Sequence, residues 1–444
     1  MFQNVANLFR IPDIRRRILV TLGFLLVYRV GWNIPIPGID LDVLRTIATG
    51  GGGESSDFAQ LFGIISGGGL LSCALFSLGI MPYISASIIF SLLTKVVPSL
   101  EAVAKEGSAG QRKINQWTRL ATVPLALVQA IILVANVYKS PANAARMPLL
   151  PDGFGMALLA VLALTAGTIL LMWIGEQITE YGVGNGISLL IMAGIVARVP
   201  DAIVTMVQNT EGGLLPFVLL ILFILVVVAV VYITKGMRKI PVQYAKLTRG
   251  RKVYGGQRHF LPIKVNQAGV MPVIFSSALL SFPSLIGSAL GWTFLREAFS
   301  QGTWTYTVLD IALIFFFSFF WNSLMFNPAE MSKNMKEHGS FIPGIRPGKK
   351  TAEFLEKVMF RITLAGAAFL AIIASVPHQV AGMISKDIPV AVAYFLGGTS
   401  ILIVVSVALD LVDKLNSALL MRDYGGFMDG GDASSRRRGG KKER

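Results

Sequence analysis

The stretch LFGIISGGGLLSCALFSLGIMPYISASIIFSLLTK, residues 61–95, decides the fold. As one helix its 35 residues would run about 52 Å at about 1.5 Å per residue. That is too long for a single crossing of a ~30 Å hydrocarbon core. It is also too short for two crossings joined by a turn. Two crossings would move the basic segment 95–116 to the opposite side of the membrane. The stretch therefore reads as a half-helix followed by one span, broken at Gly67-Gly68-Gly69. A re-entrant segment survives at membrane depth only where protein or a water-filled cavity surrounds it. The alternative is an interfacial helix lying on the outer surface.

Apolar runs of about 20 residues recur on both sides of this stretch, each long enough to cross as a helix. They predict ten spans, at 18–37, 70–94, 117–138, 154–175, 186–206, 214–234, 267–289, 307–326, 359–377 and 388–409. The composition agrees. Of 444 residues 53% are hydrophobic and 15% charged, with mean hydropathy +0.64, whereas a soluble domain carries roughly 25% charge. A soluble enzyme, a secreted disulfide scaffold and a singly anchored protein are excluded, since no large polar domain is left over. The opening MFQNVANLFRIPDIRRR does not read as a cleavable signal peptide, because the apolar run after it is too long and lacks a small-residue cleavage site. One cysteine, Cys73, excludes disulfides and thiolate clusters. His259, His338 and His378 lie far apart, so neither metal nor cofactor is expected.

Charge placement sets the orientation. With both termini in the cytoplasm, 33 of the 40 Lys and Arg residues fall on cytoplasmic segments, which is the positive-inside signature. Loop 235–264 holds nine of them and segment 327–361 seven. The span at 186–206 is the weakest, interrupted by Arg198, Pro200 and Asp201, but deleting it would place the nine-charge loop outside. The chain then divides into a cytoplasmic N-terminus 1–17, a first half 18–206, a second half 207–410 and a basic tail 411–444. Each half has five spans. Five is odd, so the second half enters from the opposite side, and an inverted repeat around a central site is geometrically allowed.

Ion-coupled transport ordinarily uses ionisable residues at mid-membrane. Here Arg29, Glu176, Asp310 and Asp410 fall toward span ends, where they can snorkel or form structural ion pairs. The run 344–351, Gly-Ile-Arg-Pro-Gly-Lys-Lys-Thr, fails as a phosphate loop: its glycine spacing is one short and Lys350 replaces the Ser/Thr. No Gly-x-Ser-x-Gly or His-Glu-x-x-His occurs. No catalytic activity is expected, and any energy must come from a partner.

What the spans do contain is small and hydroxylated: Ser85, Ser87, Ser91 and Thr94, then Gln129, then Ser276, Ser277 and Ser281. Such residues suit ordinary close helix packing or a helix–helix seam weak enough to open. Ile80 and Ile84, and again Ile187 and Ile191, share a helix face at i, i+4. Both pairs sit beside polar or Gly-rich backbone, so lipid-facing packing and a hydrophobic constriction closing by dewetting are both open. Loop 235–264 has no acidic residue and is far longer than orientation requires. It suits anionic lipid, RNA phosphate or an acidic protein face. Segment 327–357 adds PGIRPG (343–348), where Gly and Pro fix a rigid turn.

These motifs together resemble the SecY family, the channel subunits of the bacterial protein-translocation complex. The resemblance runs over roughly residues 10–425 and rests on GIMPYISASII (79–89), EQITEYGVGNGIS (176–188), NQAGVMPVIF (266–275), FNPAE (326–330), PGIRPG (343–348) and GGTSILIVV (397–405). It implies an all-α integral membrane protein of ten transmembrane helices, in two inverted five-helix halves around a central pore. It implies a pore ring of Ile80, Ile84, Ile187, Ile191, Ile274 and Ile403. It implies a short re-entrant plug helix at Phe62, Gly63, Ile64, Ile65, Ser66, Gly67, Gly68, Gly69, Leu70 and Leu71. The implied lateral gate takes in Ser85, Ser87, Gln129, Ser276, Ser277 and Phe282. The implied docking residues for a motor or ribosome are Arg251, Lys252 and Arg346. At the loop tip Arg-Lys stands where paired arginines are the pattern; lysine keeps the charge but loses the bidentate fork. Implied partners are SecE and SecG subunits, the SecA ATPase, the ribosome, signal sequences with their nascent chains, and membrane lipid. The implied location is the bacterial inner membrane. The tail from 426 matches no pattern.

The function so implied is a passive protein-conducting channel with a lateral exit into lipid. A secondary transporter with an inverted repeat would need mid-membrane ionisable residues, and an intramembrane protease a catalytic pair. Neither is in the sequence.

Overall fold

A computed structural model describes residues 12–39, 73–135, 150, 153–197, 199–200, 215–244, 247–249, 252–254, 258–290, 292, 294, 298–299, 303–384 and 399–418. In chain order its helices are α1 (Pro12–Gly31), α2 (Met81–Val96), α3 (Pro98–Lys105), α4 (Ser108–Leu133), α5 (Phe154–Tyr181), α6 (Gly186–Val196), α7 (Leu215–Thr234), α8 (Met271–Leu290), α9 (Trp304–Met325), α10 (Pro328–Glu337), α11 (Lys349–Ile384) and α12 (399–418). A described helix overlaps each of the ten stretches read as spans. Among the described residues four helical stretches are long and apolar enough to cross a membrane: Ser108–Leu133, Phe154–Tyr181, Trp304–Glu337 and Lys349–Ser375. A fifth is the bent pair α2–α3. Its 97° bend falls where Val97 precedes Pro98, since a proline pushes the preceding residue out of the helical region. The proposed plug, 62–71, lies outside the described residues.

The chain divides into two compact units. The first takes the described residues of Met1–Ser55, Phe62–Ala197 and Val407–Arg444, the second those of Arg198–Ser406.

In the first unit α2 packs on α4, α4 on α5, and α5 on α1 and α6. The segment 73–80, just before α2, is stitched to the loop after α1. Ile36 N donates to Cys73 O at 2.9 Å and Leu75 N to Ile34 O at 2.9 Å. Phe76, fully buried, stacks on Tyr28 with ring centroids 6.2 Å apart. Gly31 makes room for it: a Cβ there would lie 1.9 Å from the Phe76 ring. Residues 73–80 are therefore anchored turns and α2 begins only at Met81, later than the span read from 70; the break read at Gly67-Gly68-Gly69 lies outside the described residues.

The second unit has two cores. One joins α7, α8, α9, α11 and the start of α12 through Val226, Val230, Val273, Ile314, Leu370 and Leu402. The other joins α11 to a small antiparallel sheet through Ile240, Val242, Ile263, Leu355 and Val358. The fold is mostly helical as expected, and loop 235–264 adds strands to it. The loop forms β1 (Met237–Tyr244), β2 (Leu247–Arg249), β3 (Lys252–Tyr254) and β4 (Arg258–Lys264). β1 pairs with β4 from Met237↔Lys264 to Gln243↔Arg258, and with β5 (Ser340–Phe341) at its far end. Ile240 and Val242 alternate inward while the neighbouring positions face out, a period of two. α11 also starts ten residues earlier than the span within it. Helical hydrogen bonds are local, so the charged run from Lys349 to Arg361 continues the helix beyond the apolar zone.

Candidate functional site

Each site segment is built by local chemistry. In the first unit the motif 176–188 ends α5, turns and starts α6. Gly184 has φ +90°, a region that L side chains avoid. Asn185 caps α6, its Oδ1 accepting from Ile187 N at 3.1 Å and Ser188 N at 3.4 Å; short polar side chains favour this place. Thr179 Oγ1 accepts from Gly186 N at 2.8 Å and donates to Gly175 O at 2.8 Å. Thr21 of α1 reaches across so that its Oγ1 accepts from Val183 N at 3.1 Å. The turn is held from three sides, which fixes the rotation of α6. Ile187 and Ile191 are then half-buried while Leu189 and Leu190 are buried.

Glycine sets that packing. A Cβ on Gly186 would lie 1.9 Å from Gly175 O and 2.8 Å from Ile178 Cβ. Gly186→Ala is therefore expected to lower stability by about 1–3 kcal/mol, as overpacking does. Gly155→Ala, with nothing within 4 Å of the new methyl, should be neutral or mildly stabilising. Thermal unfolding of the two proteins in detergent checks the contrast.

In α2, Ile80 precedes the first turn and Ile84 follows one turn later; both are buried, at 7% exposure. They are thus more enclosed than Ile187 and Ile191. Ser85 is buried and donates to Met81 O at 3.0 Å, so its hydroxyl is spent within the helix. Ser87 is half-buried. Gln129 of α4 is buried, and its Oε1 has no hydrogen-bond partner among the described residues. Arg119 of α4 pairs with Glu176 of α5, the structural ion pair expected for Glu176. Asp410 likewise pairs with Lys414 at 2.9 Å.

In the second unit Ile274 on α8 and Ile403 on α12 are half-buried, each packed by one side against the apolar core. Ser277 is half-buried and donates to Ile274 O at 3.0 Å. Ser276 is fully buried, and its Oγ donates to the carboxylate of Asp310 on α9. This corrects the reading of Asp310 as a snorkelling end residue: it is 8% exposed and its carboxylate ties α8 to α9. On the packed side of α9 the short side chain is enclosed by protein and bonds Ser276. The Phe282 position lies within α8, but its side chain is outside the described set.

The turn 343–348, which carries Arg346, follows β5 in the second unit. Gly344 (φ +83°) and Gly348 (φ +105°) take the left-handed conformations that the turn needs. Ile342 is buried and Ile345 half-buried on the core below, while Arg346 is exposed. Two buried hydroxyls hold the backbone around it. Thr351 Oγ1 donates to Arg346 O at 2.9 Å, and Ser332 Oγ donates to Gly348 O at 2.6 Å. Ser332 rides on α10, which Asn327 caps by accepting from Glu330 N at 3.4 Å, with Pro328 in the first turn. Lys252 lies in β3 opposite Arg249. Arg251 lies outside the described residues.

The family model described as SecY matches residues 74–412. The chain belongs to the SecY family. Among its relatives, the protein translocase subunit SecY of Escherichia coli strain K12 is 42% identical over 423 residues, covering 93% of each chain. That of Streptomyces galbus is 43% identical over 446 residues, covering 96% of this chain and all of the relative. Solved structures share the fold at lower identity. One described as a protein conducting channel has TM-score 0.62 at 19% identity, covering 93% of this chain and 96% of the other. Sec61 in a canine ribosome–channel complex has TM-score 0.56 at 16% identity, with the same coverage. The protein is a multi-pass membrane protein with the SecY fold.

SecY motifs in the sequence pointed to Arg346 but not to Ser332 and Thr351, which orient its backbone. Only the chemical signal of Thr-351 directly after a Gly-Lys-Lys start, and of a serine on an otherwise charged helix, could have suggested them. Nor did the SecY motif 266–275 name Asp310 as the partner of Ser276. They are 34 residues apart, and no local spacing links them.

Proposed function

We propose that the chain is a passive protein-conducting channel, the SecY-type subunit of a bacterial translocase. It passes unfolded secretory polypeptides across the cytoplasmic membrane and releases apolar segments sideways into lipid. The observation that carries this reading is identity of about 42% along 93% of the chain to translocase subunits. On this reading both termini and the sheet-bearing loops face the cytoplasm, and the halves 18–206 and 207–410 enter the membrane from opposite sides.

The mechanism follows from the residues. A motor of the SecA type, or a ribosome, docks on Arg346 and on the basic hairpin whose tip is Arg251-Lys252. It feeds an extended chain toward a constriction lined by Ile80, Ile84, Ile187, Ile191, Ile274 and Ile403. Aliphatic side chains offer neither charge nor hydrogen bond, so they can close around a moving chain without holding any sequence. The plug at 62–71 occupies the closed channel. A signal sequence, itself an apolar helix, enters beside Ser85, Ser87, Gln129, Ser276, Ser277 and Phe282. Small SecE- and SecG-like subunits complete the assembly.

Reconstitution tests the proposal. Vesicles holding this chain with a SecE-like subunit, a SecA-type ATPase and ATP should protect a secretory precursor from external protease. Equal protection in vesicles lacking this chain would refute it.

A further inference from the structure

In the second unit the segment 265–268, which leads from β4 into α8, lies against α11 and shares a cavity with α9 and α11. Glycine permits the close approach: a Cβ on Gly366 would lie 2.6 Å from Val265 O. Val265 N is held by Gly236 O at 2.9 Å. Beside this segment lies a cavity of about 10 Å³, lined by residues 265–268, Ser318, Asn322, Thr363, Gly366, Ala367 and Leu370. That is the space a single water requires, about 10–15 Å³.

The walls carry polar groups with nothing to bond. Ser318 and Asn322, at i and i+4, share one face of α9 and are 3% and 8% exposed. Asn322 Nδ2 donates to Thr363 Oγ1. Asn322 Oδ1 and Ser318 Oγ have no partner among the described residues. Turning the amide over does not help, because the threonine hydroxyl bonds either end and one end is always left over. Buried polar atoms left unpaired are unfavourable, and a small cavity with polar groups to bond holds a water where a wholly apolar one stays dry.

We infer that this cavity is a hydration site for one ordered water. The water donates to Asn322 Oδ1, exchanges a hydrogen bond with Ser318 Oγ, and uses its remaining capacity on the lining residues 265–268. The start of α8 is thereby fastened to α9 through a movable link. The bond from Ser276 to Asp310 fixes α8 to α9 directly further along, whereas a water can re-form its bonds as the 265–268 segment shifts. Gly269, at φ +63°, supplies backbone freedom next to the link.

The test uses the full chain in lipid nanodiscs. If Ser318 Oγ is merely an unpaired group, Ser318→Ala removes a penalty and raises the melting temperature. If it holds a water, the same change lowers it, by on the order of 2 °C, despite the better helix propensity of alanine. Radiolytic labelling gives an independent reading on the unaltered protein. An ordered water generates hydroxyl radicals in place, so Leu370, which lines the cavity and is 2% exposed, should be oxidised. That oxidation should disappear in S318A/N322L. An unlabelled Leu370 in the parent protein, or a raised melting temperature in Ser318→Ala, overturns the proposal. So does a melting temperature that falls when sodium is replaced by choline, which would make the occupant a cation.

Discussion

The Arg346→Glu protein is expected to fold and insert normally and to bind a cytoplasmic motor or ribosome about 100-fold or more weakly. Arg346 is exposed, so no packing is lost. Its effect on binding is large because the backbone beneath it is fixed. Thr351 and Ser332 hold the carbonyls of Arg346 and Gly348, and both flanking glycines sit in conformations that other residues resist. A preorganised arginine loses little conformational entropy when it docks. Truncating one member of a buried interfacial charge pair costs about 2–5 kcal/mol, and reversal adds repulsion. Thr351→Val should give a smaller loss, about 3- to 10-fold, for the one hydrogen bond removed, and Thr351→Ser should restore it. Surface plasmon resonance of the partner on nanodisc-held protein reads both. Binding by Arg346→Glu at the parent affinity would remove this turn from the docking site. If Arg346→Glu fails and Thr351→Val does not, the arginine is needed but its clamp is not. Contacts of this kind should also fade with salt, as the Debye length falls from about 8 Å at physiological ionic strength to about 3 Å at 1 M.

The contrast between these two effects shows where sequence reading stops. The helices were legible because a 20-residue apolar run has few other fates, and a described helix meets every such run. That residues 61–95 do not form one continuous helix was legible as arithmetic, 35 residues being too many for one span, but the start of α2 at Met81 rather than at 70 was not. The PGIRPG turn was legible because glycine and proline state their own backbone angles. Its clamp was not: Ser332 is 16 residues from Gly348, and pairing at that distance depends on how α10 folds back. The sheet was half legible. Ile240 and Val242 alternate, but nine positive charges and the prolines at 241 and 262 obscure the period. Asp310 was misjudged for a related reason. Depth along a span can be counted from sequence, but the neighbour that takes up a buried carboxylate, Ser276 on another helix, cannot. The Asn322–Thr363 contact, 41 residues apart, was invisible in the same way.

Ile403→Asn is expected to make the closed channel leak small ions while the protein still folds. The three residues 401–403 carry the argument. Ile401 and Leu402 are buried in the core of the second unit at 4% and 2% exposure, whereas Ile403 touches that core with one side only. Leu402→Asn would bury an amide among apolar neighbours and should cost about 2–5 kcal/mol, enough to abolish expression. Ile403→Asn gives up only part of a side chain's burial and should cost about 1 kcal/mol. If the free side of Ile403 faces the proposed constriction, the new amide offers donors and an acceptor to water. Water then bridges a level where six aliphatic side chains had excluded it, and ions follow with their hydration shells. If the proposed plug at 62–71 closes against this ring, the same change should also let the channel open for defective signal sequences. If the free side faces lipid instead, Asn adds an insertion penalty, yield falls and no current appears. Planar-bilayer conductance of the purified Ile403→Asn protein distinguishes the two. A well-folded variant whose closed-state current and signal requirement match the parent would place Ile403 outside the pore, and Ile274→Asn, half-buried on the same core, would then decide whether the second unit contributes to the ring at all.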